Sequence, residues 1–157
     1  MDRQAQFIED MGLYFERTGL TRMAGRIIAW LMISDPPQQT MAQIGATLGA
    51  SKSSISTSLR MLVQFQLVDQ ISLPGERSDY YRLSPGLVHQ SLRARMGMLT
   101  ELRRLAEQGL EAIGDAAPEQ RRRLELVRDM NAFLEREFPK LLDLWEQEQS
   151  ASGGDRR

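Results

Sequence analysis

The chain has 157 residues, of which 41% are hydrophobic and 26% charged, as is ordinary for one soluble globular domain or for one domain with helical extensions. It contains no cysteine, which excludes a disulfide framework and a thiol nucleophile. No apolar stretch approaches the roughly 18 residues that span a bilayer, and no signal peptide is visible, so we expect a cytoplasmic protein.

The net charge of −1 hides an uneven distribution of charge along the chain. Residues 20–95 hold eight basic and four acidic side chains, residues 1–19 hold two and four, and residues 96–157 hold ten and thirteen. A basic middle between acidic flanks can present one cationic face to a nucleic acid, although an excess of four charges favours this only weakly.

The first two predicted elements are helices over residues 3–17 and 22–33. Apolar residues recur at helical spacing in the first, Gly19 is placed to cap its end, and Thr21 is placed to cap the next helix. The Asp35-Pro36-Pro37 segment ends the second helix, because a residue before proline is pushed out of the α region.

The segment from residue 40 to residue 65 has the pattern of a helix-turn-helix. Thr40 and Gln43 have the spacing of a capping box, and Gly49 suits a left-handed turn. Ser51 then caps a second helix over 52–65, whose residues Ile55, Leu59 and Leu62 form a buried stripe.

A β-hairpin is predicted directly after that helix. The strands are residues 67–73 and 79–83, joined by the turn-forming residues Pro74-Gly75-Glu76-Arg77-Ser78. A hairpin in this position is the wing of a winged helix-turn-helix, so the predicted fold class is mainly α, with a three-helix core and a β-hairpin wing.

Two long amphipathic helices follow, over residues 85–113 and 119–148. Ser84 is expected to cap the first with Pro85 in its first turn, and Pro139 is expected to kink or break the second. Their apolar stripes need a cover, and a second copy of the chain is the simplest one. We therefore expect an N-terminal dimerisation helix (1–19), a DNA-binding domain (20–84), a helical dimerisation region (85–149) and a disordered tail (150–157).

The second helix of the motif carries the candidate DNA-binding chemistry. With Ile55 directed inward, Ser53, Ser56, Thr57, Arg60 and Gln64 fall on the opposite side. Serine and threonine are poor helix formers, so an ordinary solvated face is a weaker explanation than DNA contact. Small hydroxyls and cations suit a helix in the major groove. The candidate DNA-binding residues are Thr40, Ser51, Lys52, Ser53, Ser54, Ser56, Thr57, Arg60, Gln64, Arg77 and Arg82.

Other kinds of site have little support in the sequence. His89 is the only histidine and has no metal-ligand cluster beside it, and no phosphate loop or nucleophile–base pair is present, so we expect no metal, no cofactor and no enzyme. Tyr14, Phe15 and Trp30 are weaker candidates for a small-molecule effector pocket, because aromatic residues at helical spacing are usually core.

The order of elements and the motif residues resemble the MarR family of winged-helix transcriptional regulators, and within it the GbsR-like branch. The resemblance covers residues 20–85 and rests on Gly25-Arg26-Ile27, Gln43-Ile44-Gly45, Ser51-Lys52-Ser53-Ser54-Ile55-Ser56, Leu59-Arg60-Met61-Leu62 and the wing residues 74–81. One departure is Gly75, with Glu76 beside it, where the widespread MarR wing has an aspartate two places before its arginine.

The resemblance implies a homodimer that binds a pseudo-palindromic operator in double-stranded DNA and usually represses. It places helix 52–65 in the major groove, with Ser53, Ser56, Thr57 and Arg60 at the family's recognition positions. It also places wing 74–79, with Arg77, at the minor groove, and it implies a possible small-molecule effector. The alternative is a winged-helix module that binds other proteins and has lost DNA binding.

Overall fold

The computed structural model describes residues 2–115 and 117–153. The chain divides into two compact units, Met1–Gln90 and Ser91–Arg157. The first holds four helices and a small antiparallel sheet, and the second is helical. The predicted fold class is therefore confirmed.

Helices α1 (Arg3–Arg17) and α2 (Arg22–Ile33) form the N-terminal part of the first unit. Gly19 has a φ of 97° just after α1, and the Thr21 hydroxyl accepts the Ala24 N–H at 3.1 Å, so both predicted caps are confirmed. The two helices cross closely: a Cβ at Gly25 would lie 3.0 Å from the Gly12 Cα.

The helix-turn-helix consists of α3 (Met41–Leu48) and α4 (Lys52–Gln64). The capping box between Thr40 and Gln43 is present, Gly49 is left-handed with a φ of 59°, and Ser51 caps α4. Each of these features was predicted, and each is confirmed. Local sequence chemistry therefore determines this turn.

The sheet has the strand order β1-β3-β2, with β1 (Gln39–Thr40), β2 (Val68–Ser72) and β3 (Asp79–Leu83). β2 and β3 form the predicted hairpin, in which Val68 pairs with Leu83 and Ser72 with Asp79. β1 was not predicted, because a strand of two residues is too short to show a period. It pairs with β3 through Gln39 and Tyr81 and so attaches the start of α3 to the wing.

The core of the first unit joins the helices to the wing. Its fully buried large side chains come from α2, α3, α4 and β2, and they are Ile27, Ile28, Ile44, Ile55, Leu59, Leu62 and Val68. Because α4 contributes three of them, its rotation about its own axis is determined by the core.

The second unit contains most of α5 (Leu87–Ile113) and all of α6 (Pro118–Gly153). Arg103 Nε donates to Glu135 Oε2 at 3.0 Å, and Leu124 lies against Gly109, where an added Cβ would be 3.1 Å from the leucine Cδ1. These contacts hold the two helices side by side.

The structure departs from the predictions for these helices at three places. α5 begins at Leu87 and not at Pro85, because the Ser84 N–H bonds to Leu67 O at 3.1 Å and holds residue 84 at the sheet. The Ser84 hydroxyl does accept a backbone N–H, that of Gly86 at 3.4 Å. Pro139 does not break α6, because proline removes only one hydrogen bond from a helix of 36 residues, and the predicted kink stays a prediction. The helix also includes residues 150–153 of the expected tail, and residues 154–157 lie outside the described part.

Candidate nucleic-acid interface

The buried side of α4 determines which of its residues face outward. Ile55 and Leu62 are completely buried, Leu59 is nearly so, and Ser58 is also buried, so that this serine belongs to the back of the helix. Ser53, Thr57, Arg60 and Gln64 are exposed on the other side, and Ser56 is half-buried at its edge. The outward face is the one that the spacing predicted.

The N-terminus of α4 presents small hydroxyls and one cation. The Ser51 hydroxyl accepts the Ser54 N–H at 3.3 Å and lies 3.1 Å from the Ser53 hydroxyl. Lys52 is exposed, whereas Ser54 is half-buried. The positive end of the helix dipole and the lysine charge therefore coincide, which favours a phosphate at this position.

The cations of this surface differ in whether a carboxylate neutralises them. Among the described residues, Lys52, Arg60 and Arg77 have no carboxylate within ion-pair distance. Arg82 is different, because its Nε lies 3.5 Å from Asp69 Oδ2 on the neighbouring strand. Three of the four predicted cations are therefore available to an external anion.

The wing begins with a tight turn. The Glu76 N–H donates to Leu73 O at 3.1 Å, and Gly75 has a φ of 83°, as the third residue of a type II turn requires. Arg77 lies two residues after Gly75 and is exposed. The nearby Asp79 carboxylate instead accepts hydrogen bonds from Gln70 Nε2 at 2.8 Å and Ser72 Oγ at 2.9 Å, so it braces the hairpin.

Two cavities lie beside α4 in the first unit. The larger, of about 560 Å³, lies between α3, the start of α4 and the wing, and its polar lining is Thr40, Lys52, Ser78, Asp79 and Tyr81. The smaller, of about 150 Å³, includes Ser56, Arg60 and Gln70. Met41 and Tyr81 line both cavities, so the two are neighbours on the side of α4 that faces α3 and the wing.

The hydroxyls of Tyr81 and Thr40 near this surface are either uncharged or already hydrogen-bonded. Burial, and then the nearby Asp79 charge, raises the pKa of the Tyr81 hydroxyl, which stays protonated at neutral pH. The Thr40 hydroxyl accepts the Gln43 N–H at 3.2 Å, so its capping role already uses it. Gln70, Ser78 and Tyr81 were not singled out in the sequence, since only the cross-strand register brings them to α4.

The three effector candidates lie in α1 and α2. Tyr14 and Phe15 are in edge-to-face contact with ring centroids 5.3 Å apart, and Phe15 and Trp30 pack against the core. None of the three lines either cavity beside α4. The described residues include no group of three or more histidine, cysteine or acidic side chains that could hold a metal ion, and no described helix is long and apolar enough to cross a membrane.

Comparison with known proteins shows the family. Residues 18–77 match the model of the MarR family, and residues 86–148 match that of the MmpR5-like MarR family transcriptional regulators. The HTH-type transcriptional regulator MmpR5 of Mycobacterium tuberculosis is 42% identical over 130 residues, which are 83% of this chain and 79% of that protein. The chain belongs to the MarR family of transcriptional regulators.

A solved structure supports this assignment. The crystal structure of a transcriptional regulator with 39% identity superposes with a TM-score of 0.73, and the match covers 93% of this chain and 99% of the other. This MarR-family chain is thus a winged-helix DNA-binding transcriptional regulator. In this fold, α4 is the second helix of the helix-turn-helix and the β2–β3 hairpin is the wing.

Proposed function

We propose that this regulator acts as a homodimer that reads a pseudo-palindromic operator, with α4 in the major groove and wing residues 74–79 at the minor groove. The observation that carries the proposal is the outward face of α4. Its back is fully buried, while Lys52 and Arg60 on its front have no carboxylate partner among the described residues. Unneutralised cations on an exposed helix face favour a polyanion.

The proposed roles follow from the position of each residue along α4. Ser51, Lys52 and Ser54 lie in the first turn, where free N–H groups and the dipole favour phosphate. Ser53, Ser56 and Thr57 are short, so they let the helix approach the base edges. Arg60 and Gln64 are long enough to hydrogen-bond those edges.

The wing and the flanking residues differ in the DNA contacts that we propose for them. We propose that Arg77 enters the minor groove, since an exposed arginine at a rigid turn suits a narrow groove of negative potential. Arg82 would contact phosphate only by exchanging its partner Asp69. Thr40 is the weakest of the proposed DNA contacts, because the capping box engages both its hydroxyl and its backbone N–H.

Exposed apolar stripes support the proposed dimer. One stripe lies along one face of α6, at intervals of three, four or eight residues, and is formed by Leu126, Met130, Phe133, Leu141 and Leu144. α5 has a similar stripe at Met98, Leu102 and Leu105. Contiguous apolar surface of this kind marks an interface, and a two-fold copy of the chain is the occupant we propose. Dimerisation is typical of the family.

Several finer points belong to the same proposal. Repression is the proposed sign of regulation, and the cytoplasm, where DNA is accessible to a regulator, is the proposed location. A small-molecule effector that acts near Tyr14, Phe15 and Trp30 is in keeping with effector responses in the family. Placement in the GbsR-like branch rests only on the resemblance of the motif residues between residues 20 and 85.

Selection of bound duplexes from a random pool by the wild-type protein tests the proposal. A dimer should recover inverted repeats whose half-site centres are about 10–10.5 base pairs apart. Replacing Lys52, Arg60 and Arg77 together by alanine should abolish binding to the selected duplex. A control that removes three cations elsewhere, at Arg104, Arg122 and Arg123, has the same net charge and should keep it. Failure to select any duplex, with one stoichiometric protein partner captured instead, would support the protein-binding alternative.

A further inference from the structure

Arg26 of α2 contacts both α1 and the end of α3. Its Nη2 donates to the Leu48 carbonyl at 3.0 Å. Its Nε lies 2.6 Å from Glu9 Oε1 as an ion pair, although the Nε–H does not have hydrogen-bond geometry toward that oxygen. We infer that Arg26 is a positioning residue that ties α1 to the helix-turn-helix turn, so that the angle at which α4 meets DNA depends on the position of α1. This inference rests on the proposed function.

The contact with Leu48 is made where the turn begins. Leu48 is the last residue of α3. The last carbonyls of a helix have no N–H donor within the helix, so they need a partner from elsewhere. Gly49, the left-handed residue, comes next, and its N–H together with that of Ala50 returns to Gly45 O. The guanidinium charge thus meets the negative end of the α3 dipole and adds a charge-assisted bond to the turn.

The contact with α1 leaves the Arg26 side chain little freedom. Glu9 also accepts a hydrogen bond from Arg22 Nη2 at 2.8 Å, so one carboxylate of α1 holds two arginines of α2. The Arg26 stem passes directly over Gly12 of α1, where an added Cβ would be 2.8 Å from the Arg26 Cγ. The side chain is only 21% exposed. A shift of α1 would therefore move Arg26, and with it the carbonyl that begins the turn.

Arg22 provides a matched control for this link. It is paired with the same carboxylate on the same helix, but the described contacts of Arg22 do not include the turn. Each substitution removes one positive charge and a contact with Glu9, but only Arg26→Gln also removes the contact with Leu48. A purely electrostatic or folding effect would change DNA affinity and amide exchange at the turn similarly in the two variants. A positioning role would change both only in Arg26→Gln.

The first measurement is binding of the full-length variants to a 30-base-pair duplex selected by the wild-type protein, and to a scrambled duplex of equal composition. Arg26→Gln should weaken binding to the selected duplex at least tenfold, with binding to the scrambled duplex and the salt slope unchanged. Arg22→Gln should stay within twofold on both. Equal losses on both duplexes, or selected-duplex affinity within twofold of wild type for Arg26→Gln, would overturn the inference.

The second measurement needs no DNA, so it separates failure of this link from failure of the proposed function. Amide hydrogen exchange at Gly49 and Ala50 should be at least tenfold faster in Arg26→Gln and unchanged in Arg22→Gln, while the amides of Ile55 and Leu59 stay protected. Glu9→Gln, which leaves Arg26 in place, should accelerate the same two amides by a smaller factor. Unchanged exchange at the turn in both Arg26→Gln and Glu9→Gln would refute the link even if no duplex is ever selected.

Discussion

Replacing Arg60 by alanine separates base reading from phosphate contact on α4. Arg60 is exposed and unpaired among the described residues, and it lies one turn after Ser56 and two turns after Lys52. At 1.5 Å per residue it is about 12 Å along the helix from Lys52. The helix dipole favours phosphate at the first turn, and Arg60 lies well past it. This position favours contact with a base edge.

The magnitude follows from the chemistry of the contact. A bidentate bond to guanine contributes roughly 1–3 kcal/mol of discrimination, so Arg60→Ala should relax specificity at one base pair of each half-site by about 5-fold to 150-fold. A phosphate contact would instead change the salt dependence by about 0.9 per contact, or about 1.8 for two subunits, with sequence preference unchanged. Lys52→Ala should behave in this second way.

Fluorescence anisotropy with the selected duplex gives both quantities. Titrations at four salt concentrations report the slope, and duplexes with each base pair of the half-site replaced in turn report the preference. If Arg60→Ala lowers the slope and leaves every preference intact, the assignment to a base edge is wrong. If neither variant changes affinity or slope, α4 does not face the duplex and the reasoning from its free cations fails.

Three further predictions concern the scaffold. Gly25→Ala should lower the free energy of unfolding in urea by about 1–3 kcal/mol, because its Cβ would lie 2.8 Å from the Phe15 Cβ, whereas Gly45→Ala, with no contact closer than 3.5 Å, should be neutral or raise it by up to about 1 kcal/mol. Thr40→Ala should cost about 0.5–2 kcal/mol by the same measurement, because it removes a helix cap, and an altered salt slope of DNA binding would show that its hydroxyl does more. Replacing Met130 by glutamate should shift the dimer to monomer in sedimentation, because it places a charge in the exposed apolar stripe of α6. An unchanged mass would exclude that stripe from the interface.

Local chemistry in the sequence was sufficient to predict most elements of the first unit. Thr21, Thr40 and Ser51 each cap the helix that follows, and Gly49 forms the turn because it tolerates a positive φ. The outward face of α4 was equally predictable, since Ile55 and a 3.6-residue period are enough to orient it. All of these features depend on residues at most a few positions apart.

The tertiary structure decided what depends on residues far apart in the chain. The strand β1, the pairing of Arg82 with Asp69, and the bracing of Asp79 by Gln70 and Ser72 follow from strand register, which no single segment encodes. The start of α5 at Leu87 was mispredicted for the same reason, because a bond from residue 84 to Leu67 holds the chain at the sheet. The Arg26 link joins the three helices α1, α2 and α3. A local pattern cannot distinguish Arg26 from Arg22, one turn earlier on α2, because only the packing of α3 against α2 gives Arg26 its additional partner, the Leu48 carbonyl.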